Sequence, residues 1–163
     1  DRAIPAGANA AAFKGQAITL AEITVSHPFA ENRQVQVLAD GAVIFRYDLL
    51  PGSPASPRLA TWEDHWLLNI DGMLIMDGRC ENERLGYAAI RGWMLLGGKP
   101  FYFFHKDGQE RISYDGVLYE VVYDQILCCG EPGFETGRND RMAWFYAARE
   151  GSLYYLEFSS AAR

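Results

Sequence analysis

The stretch FYFFHKDGQERISY, residues 101–114, decides the fold class. Four consecutive aromatics run through His105 and Lys106 into Asp107-Gly108, and a second strand-like run leaves from Gln109. An Asp-Gly pair between two such runs marks a two-residue hairpin. The tight turn needs positive φ, which glycine adopts freely and aspartate tolerates. The same device recurs three times: VQVLADGAVIFRY (35–47) turns at Asp40-Gly41, WLLNIDGMLIM (66–76) at Asp71-Gly72, and WFYAAREGSLYYLEF (144–158) at Glu150-Gly151. An all-β chain of repeated antiparallel hairpins follows from these four segments.

The turn glycines lie 31, 36 and 43 residues apart, an interval closer to that of propeller blades than to that of solenoid coils. Tyr87-Ala-Ala-Ile90 precedes the third hairpin as Tyr123-Asp-Gln-Ile126 precedes the fourth, so each of these units reads as one strand followed by a hairpin. The additional length of the last unit falls in GEPGFETGRND (130–140), which reads as a long loop. Phe101 to Phe104, Trp144 to Tyr146 and Leu153 to Leu156 put large apolar groups on both faces of their strands, a pattern that calls for cover on both sides, as in stacked blades. In its aromatic strand, acidic-Gly turn and following strand, the chain over 35–158 resembles the blades of bacterial β-propeller proteins. That resemblance implies a small or partial propeller-like architecture. The Gly-His and Trp-Asp marks of WD-type blades are lacking, which leaves the blade count open. A β-sandwich or barrel of about ten short strands is the alternative.

At 163 residues the chain suits one well-filled domain. Residues 1–15 read as a flexible lead and 16–163 as a single all-β domain. QAITLAEITV (16–25) reads as a strand whose alternation slips after Ala21, the sign of a bulge or an edge position. LPGSPASPR (50–58) reads as a loop. ENERLGYAAIRGWMLL (81–96) has helical spacing at Leu85, Ala88, Ala89, Trp93 and Leu96, but Gly86, Gly92 and the repeat favour a strand over 87–90.

A formal charge of -6 with only three lysines provides no basic patch, so nucleic acid is not an expected partner. No apolar stretch reaches the roughly 20 residues of a membrane helix, and no membrane insertion is expected. The start at Asp1 and the Ala-rich lead suggest an extracellular or periplasmic protein whose leader, a possible anchor, has been removed. Among three cysteines at least one thiol is unpaired within the chain. The reading for Cys80, Cys128 and Cys129 is one buried thiol and one that is exposed or bridged to Cys80. Their spacing carries no metal signature, and no metal or cofactor is expected.

Candidate chemistry centres on few residues. Glu63-Asp64-His65 lies between Trp62 and Trp66, and a turn accounts for the same letters as well as a site does. His105 is a strand-end histidine. Asp71, Asp77, Asp107 and Asp115 precede glycines without the spacing of a calcium loop, so ordinary turns are expected there. No nucleophile elbow, phosphate loop or zinc-helix histidine pair is present. The function expected is a non-catalytic binding or assembly module that recognises a protein or a glycan through long loops and aromatics, with Trp93, Glu131, Phe134, Glu135 and Arg138 at the contact. The alternative is a carboxylate-dependent hydrolase of a glycan or ester, with Glu63, His65, His105, Glu131 and Glu135 as its acid-base candidates.

Overall fold

The computed structural model describes residues 2–3, 10–27, 30–53, 57–128 and 137–160. The chain is all-β; among the described residues antiparallel strands form four sheets, with one short helix. It divides into two compact units, residues 1–81 and 82–163, each with two sheets and a core of its own.

In the first unit, β1 (Arg2–Ala3), β2 (Ala10–Phe13), β3 (Gln16–His27), β4 (Ala30–Ala39) and β5 (Ala42–Asp48) form one sheet. β2 turns into β3 through Lys14-Gly15, at φ 49° and 77°, so part of the lead expected to be flexible is a paired strand. β3 has no bulge and is no edge. It keeps unbroken register with β4 from Ile18↔Ala39 to His27↔Ala30, and β1 and β2 pair with its other side. The alternation slips after Ala21 because core cover ends there: Ile18 and Leu20 are buried, and residues 21–25 are not. The register shift lies instead between Val37 and Leu38 of β4, opposite β5.

The second sheet is a meander of β6 (Arg58–Trp62), β7 (His65–Ile70), β8 (Met73–Met76) and β9 (Arg79–Cys80). Arg58, expected in the preceding loop, opens β6. Ile18, Leu20, Val35 and Val37 of the first sheet pack with Trp66, Leu68, Ile70 and Ile75 of the second, and the Phe45 ring lies 5.8 Å from that of Trp66. The period of two is visible in the pairs Ile18/Leu20 and Val35/Val37 and in Trp66, Leu68 and Ile70.

The second unit opens within α1 (Glu81–Leu85), which settles the ambiguous 81–96 segment in favour of both readings in turn. The helix ends at Gly86 (φ 69°), where the Gly86 amide donates to the Glu83 carbonyl and the Tyr87 amide to that of Asn82, a Schellman cap. β10 (Ala89–Leu96) follows and carries a bulge between Arg91 and Met94, centred on Gly92 at φ 63°. The two glycines that argue against a long helix are thus a helix stop and a strand bulge. β10, β11 (Lys99–Lys106), β12 (Gln109–Tyr114) and β13 (Val117–Leu118) form the third sheet.

In the fourth sheet β14 (Gln125–Leu127) and β15 (Gly137–Arg138) pair with one side of β16 (Met142–Arg149), and β17 (Ser152–Ser159) pairs with the other. The loop expected over 130–140 therefore contains a short strand, and Asn139 Oδ1 turns it into β16 by accepting from the Arg141 and Met142 amides. Leu96, Phe101, Phe103, Ile112, Ile126, Ala143, Phe145 and Ala147 make the core. The amides of Ala88 and Asp124 donate to His105 and Ala148 at matching places in the third and fourth sheets, which supports the repeat read from Tyr87 and Tyr123.

All four hairpin turns form as the sequence predicts. Asp40, Asp71, Asp107 and Glu150 take φ of 46–53° and the following glycines 76–83°. Cover on both faces holds for β7, where Leu67 and Leu68 are both buried, and for β11, where Phe103 and Phe104 are. It fails for the fourth sheet. β16 alternates between buried and half-buried positions, and Leu153, Tyr154 and Tyr155 of β17 are exposed on both faces, because β17 is an outer strand bonded to β16 alone among the described residues.

Candidate functional site

In FYFFHKDGQERISY, His105 pairs directly with Glu110 across the Asp107-Gly108 turn. Register puts Glu110 on the face that carries Phe101, Phe103 and Ile112, so a carboxylate stands where the alternation wants an apolar residue. It is held there by charge. Arg91 Nη2 donates to Glu110 Oε2 at 2.8 Å and reaches the Ile126 carbonyl at 3.4 Å, and His105 Nδ1 lies 3.1 Å from Glu110 Oε1. The Glu110 backbone exchanges both of its hydrogen bonds with Tyr123, each at 2.9 Å. The carboxylate thus ties β12 to β10 and β11, and the Glu110 backbone ties it to the lead into β14. The Glu110 side chain is 10% exposed and those of Arg91 and His105 about a third, so the cluster is buried at its carboxylate and open at its imidazole. A carboxylate that fixes Nδ1 leaves Nε2 as the working nitrogen of an imidazole, the arrangement an acid-base residue needs.

The acid-base candidates of the first unit do not converge. Glu63 takes φ 52° in the two-residue turn between β6 and β7, with Asp64 beside it, so the turn reading of Glu63-Asp64-His65 is the observed one. His65 instead meets Asp77, Nδ1 to Oδ2 at 2.5 Å. Asp77 is anchored independently, since its Oδ1 accepts from the Trp66 amide and its own amide donates to the Trp66 carbonyl. Both partners of this pair are about 40% exposed. Asp71 accepts from Ser53 Oγ at 2.6 Å. Among the described residues no group of three or more His, Cys, Asp or Glu could hold a metal ion.

Of the contact residues expected, Trp93 lies in the β10 bulge and is only 6% exposed, so it can line a contact from beneath but cannot offer its ring to a ligand. Arg138 is exposed on β15. Glu131, Phe134 and Glu135 lie outside the described residues, as does Cys129. Cys80 is a free thiol, so the bridge to Cys80 is not formed, and Cys128 is buried.

Sequence reasoning missed Arg91 and Glu110. The signal for Glu110 was present, namely a charge on the apolar register of the strand most clearly assigned. It also missed the surface of the fourth sheet, where Leu153, Tyr154 and Tyr155 are 53%, 45% and 51% exposed, and the last strand of the third, where Val117, Leu118 and the following Tyr119 are exposed. Tyr119 packs its ring 5.0 Å from Phe158, and Tyr155 packs 5.3 Å from Tyr146, so these aromatics are preset by neighbouring rings. No family model, curated protein or solved structure matches the chain.

Proposed function

We propose that the chain is a non-catalytic binding or assembly module, exported from its cell, that recognises a protein or a glycan, with its four successive sheets acting as propeller-like blades. The observation that carries this reading is the exposed aromatic and aliphatic surface of β13 and β17, from Val117 to Tyr119 and from Leu153 to Tyr155. Soluble proteins leave few large apolar side chains side by side in water without a use for them, and rigid tyrosines are favoured contact groups because they order little on binding. Under this reading Glu131, Phe134, Glu135 and Arg138 extend the contact. A panel of immobilised neutral and acidic oligosaccharides and of extended peptides tests it. Retention on one class, weakened about tenfold or more by Tyr154→Ala with Tyr155→Ala, is the expected result.

The hydrolase reading keeps one specific support, the imidazole of His105 oriented by Glu110. Turnover of nitrophenyl esters or glycosides that disappears in His105→Ala, with the fold retained by circular dichroism, would replace the binding reading with this one.

A further inference from the structure

The β11–β12 hairpin carries opposite charge chemistry on its two faces. Glu110, with Arg91 and His105, occupies the face of Phe101, Phe103 and Ile112. Register puts Lys106, Arg111 and Ser113 on the other face with Tyr102 and Phe104. Phe104 pairs with Arg111 and Tyr102 with Ser113, and Lys106, opposite Gln109, stands diagonally across from Arg111. Among the described residues neither cation has a carboxylate partner. Lys106 Nζ lies 5.8 Å from the centre of the Tyr87 ring, and Arg111 Nη2 reaches Gln109 Oε1 at 3.3 Å, a weak and uncharged tie. The one carboxylate of the hairpin besides Glu110 is Asp107, exposed in the turn. Two adjacent cations left without a counter-charge are unexpected in a chain of formal charge -6.

Tyr87 closes the group, its ring stacked on Phe104 at 4.2 Å. Burial raises the Tyr87 phenol, Tyr102 adds to the rise, and Arg111 and Arg84 pull it back, so the guanidinium of Arg111 and both phenols stand within electrostatic reach of one another. Two polar atoms on this face are orphaned. Arg111 Nε and Ser113 Oγ are sealed from solvent with no hydrogen-bond partner, and Ser113 is 0% exposed. Native proteins meet nearly all such donors, so an oxygen from outside the chain is expected here. Water would satisfy the donors and leave the cations as they are, whereas an oxyanion does both. Lys106 and Arg111 are half-buried, so the group is open at its charged ends and closed at Ser113. The weak bond to Gln109 is the tie that an anion would displace.

We propose that Lys106 and Arg111, beside the phenols of Tyr87 and Tyr102, bind one oxyanion, the carboxylate, sulfate or phosphate group of an acidic ligand. Leu118, exposed in β13, pairs with Ser113 and so lies on the same face, next to the surface named above as the contact. The inference rests on the binding reading for the body of the ligand and narrows that ligand to an acidic one, while the oxyanion is tested by itself. Heteronuclear NMR of the full chain titrated with sodium sulfate, with chloride holding ionic strength constant, should show saturable movement of the Arg111 Nε–H signal. Lys106→Gln should weaken the apparent affinity about tenfold or more, and Lys14→Gln, which removes a cation from the first unit, should leave it unchanged. Arg111→Gln should abolish binding, read from the neighbouring amides, and where that variant fails to fold Lys106→Gln carries the test alone. Acetate and phosphate, titrated in the same way, tell a planar group from a tetrahedral one, and saturation by any of the three bears the proposal out. No movement with all three, undiminished binding in Lys106→Gln, or equal losses in Lys106→Gln and Lys14→Gln, the mark of general screening, overturns it. Retention of neutral oligosaccharides alone also overturns the acidic ligand, yet leaves the binding-module reading standing. That reading fails separately, on the oligosaccharide and peptide panel.

Discussion

His65 and His105 each meet a carboxylate through Nδ1, at 2.5 Å from Asp77 and 3.1 Å from Glu110, yet the longer contact is the one made to the more deeply buried carboxylate. In the first unit the two sheets meet through apolar side chains, and the His65–Asp77 pair stays within the second sheet, with both partners about 40% exposed. In the second unit Glu110 is nearly buried, is shared by His105 and Arg91, and stands beside a backbone pairing with Tyr123. Distance and burial rank the two pairs in opposite order. Burial decides, because water screens an exposed pair however short it is, whereas a carboxylate out of water depends on its partners.

The largest effect that separates the two pairs is expected at Glu110. Glu110→Ala takes from Arg91 the carboxylate it is paired with inside the second unit and should cost about 2–3 kcal/mol, read from the urea midpoint. Asp77→Ala should cost about 1–1.5 kcal/mol, mainly because it removes the acceptor of the Trp66 amide and puts alanine at φ 50°. Asp77→Asn keeps both of those features and loses only charge, so it should stay within about 0.5 kcal/mol of the parent. An Asp77→Asn variant as damaged as Glu110→Ala would break the comparison.

Double-mutant cycles sharpen it. Combining His105→Ala with Glu110→Ala should return a coupling of about 0.5–1 kcal/mol, and His65→Ala with Asp77→Asn about 0–0.5 kcal/mol. Equal couplings would mean that burial of Glu110 adds nothing to its contact with His105.

The hairpins were legible because two residues determine each turn: Asp107 and Gly108 must both take positive φ, and that requirement shows in the letters. The Lys14-Gly15 turn has the same backbone and was missed, since lysine carries no such preference and only its glycine speaks for it. Gly86 and Gly92 were recognised as breakers, but their different tasks were not, because a helix stop and a strand bulge ask the same freedom of one residue. The partners of a candidate site are harder to read. Glu110 stands out by register alone, while Arg91 reaches it from β10 across β11, and His65 chooses Asp77, twelve residues away, over its neighbour Glu63. Exposure of β17 was illegible because its aromatics are those of a core strand, and only its place at the outside of the sheet leaves them in water.

The smallest expected difference between the units is alkaline. Burial holds the phenols of Tyr47, Tyr87 and Tyr123 above their ordinary value of 10.0, one in the first unit and two in the second. Asp71 and Cys80 add to the effect at Tyr47, Tyr102 adds to it at Tyr87, and arginines oppose it at Tyr87 and Tyr123. A proton bound more tightly in the folded chain stabilises it fully below the unfolded value, and that contribution is lost as pH rises through the folded one. Stability should therefore fall from about pH 10 upward. Replacing Tyr87 and Tyr123 by phenylalanine should flatten that fall more than Tyr47→Phe does, measured as urea midpoints across the alkaline range. A steeper fall in the double variant would contradict the sign, and equal slopes for the single and double variants would show that the arginines beside Tyr87 and Tyr123 offset what burial does there.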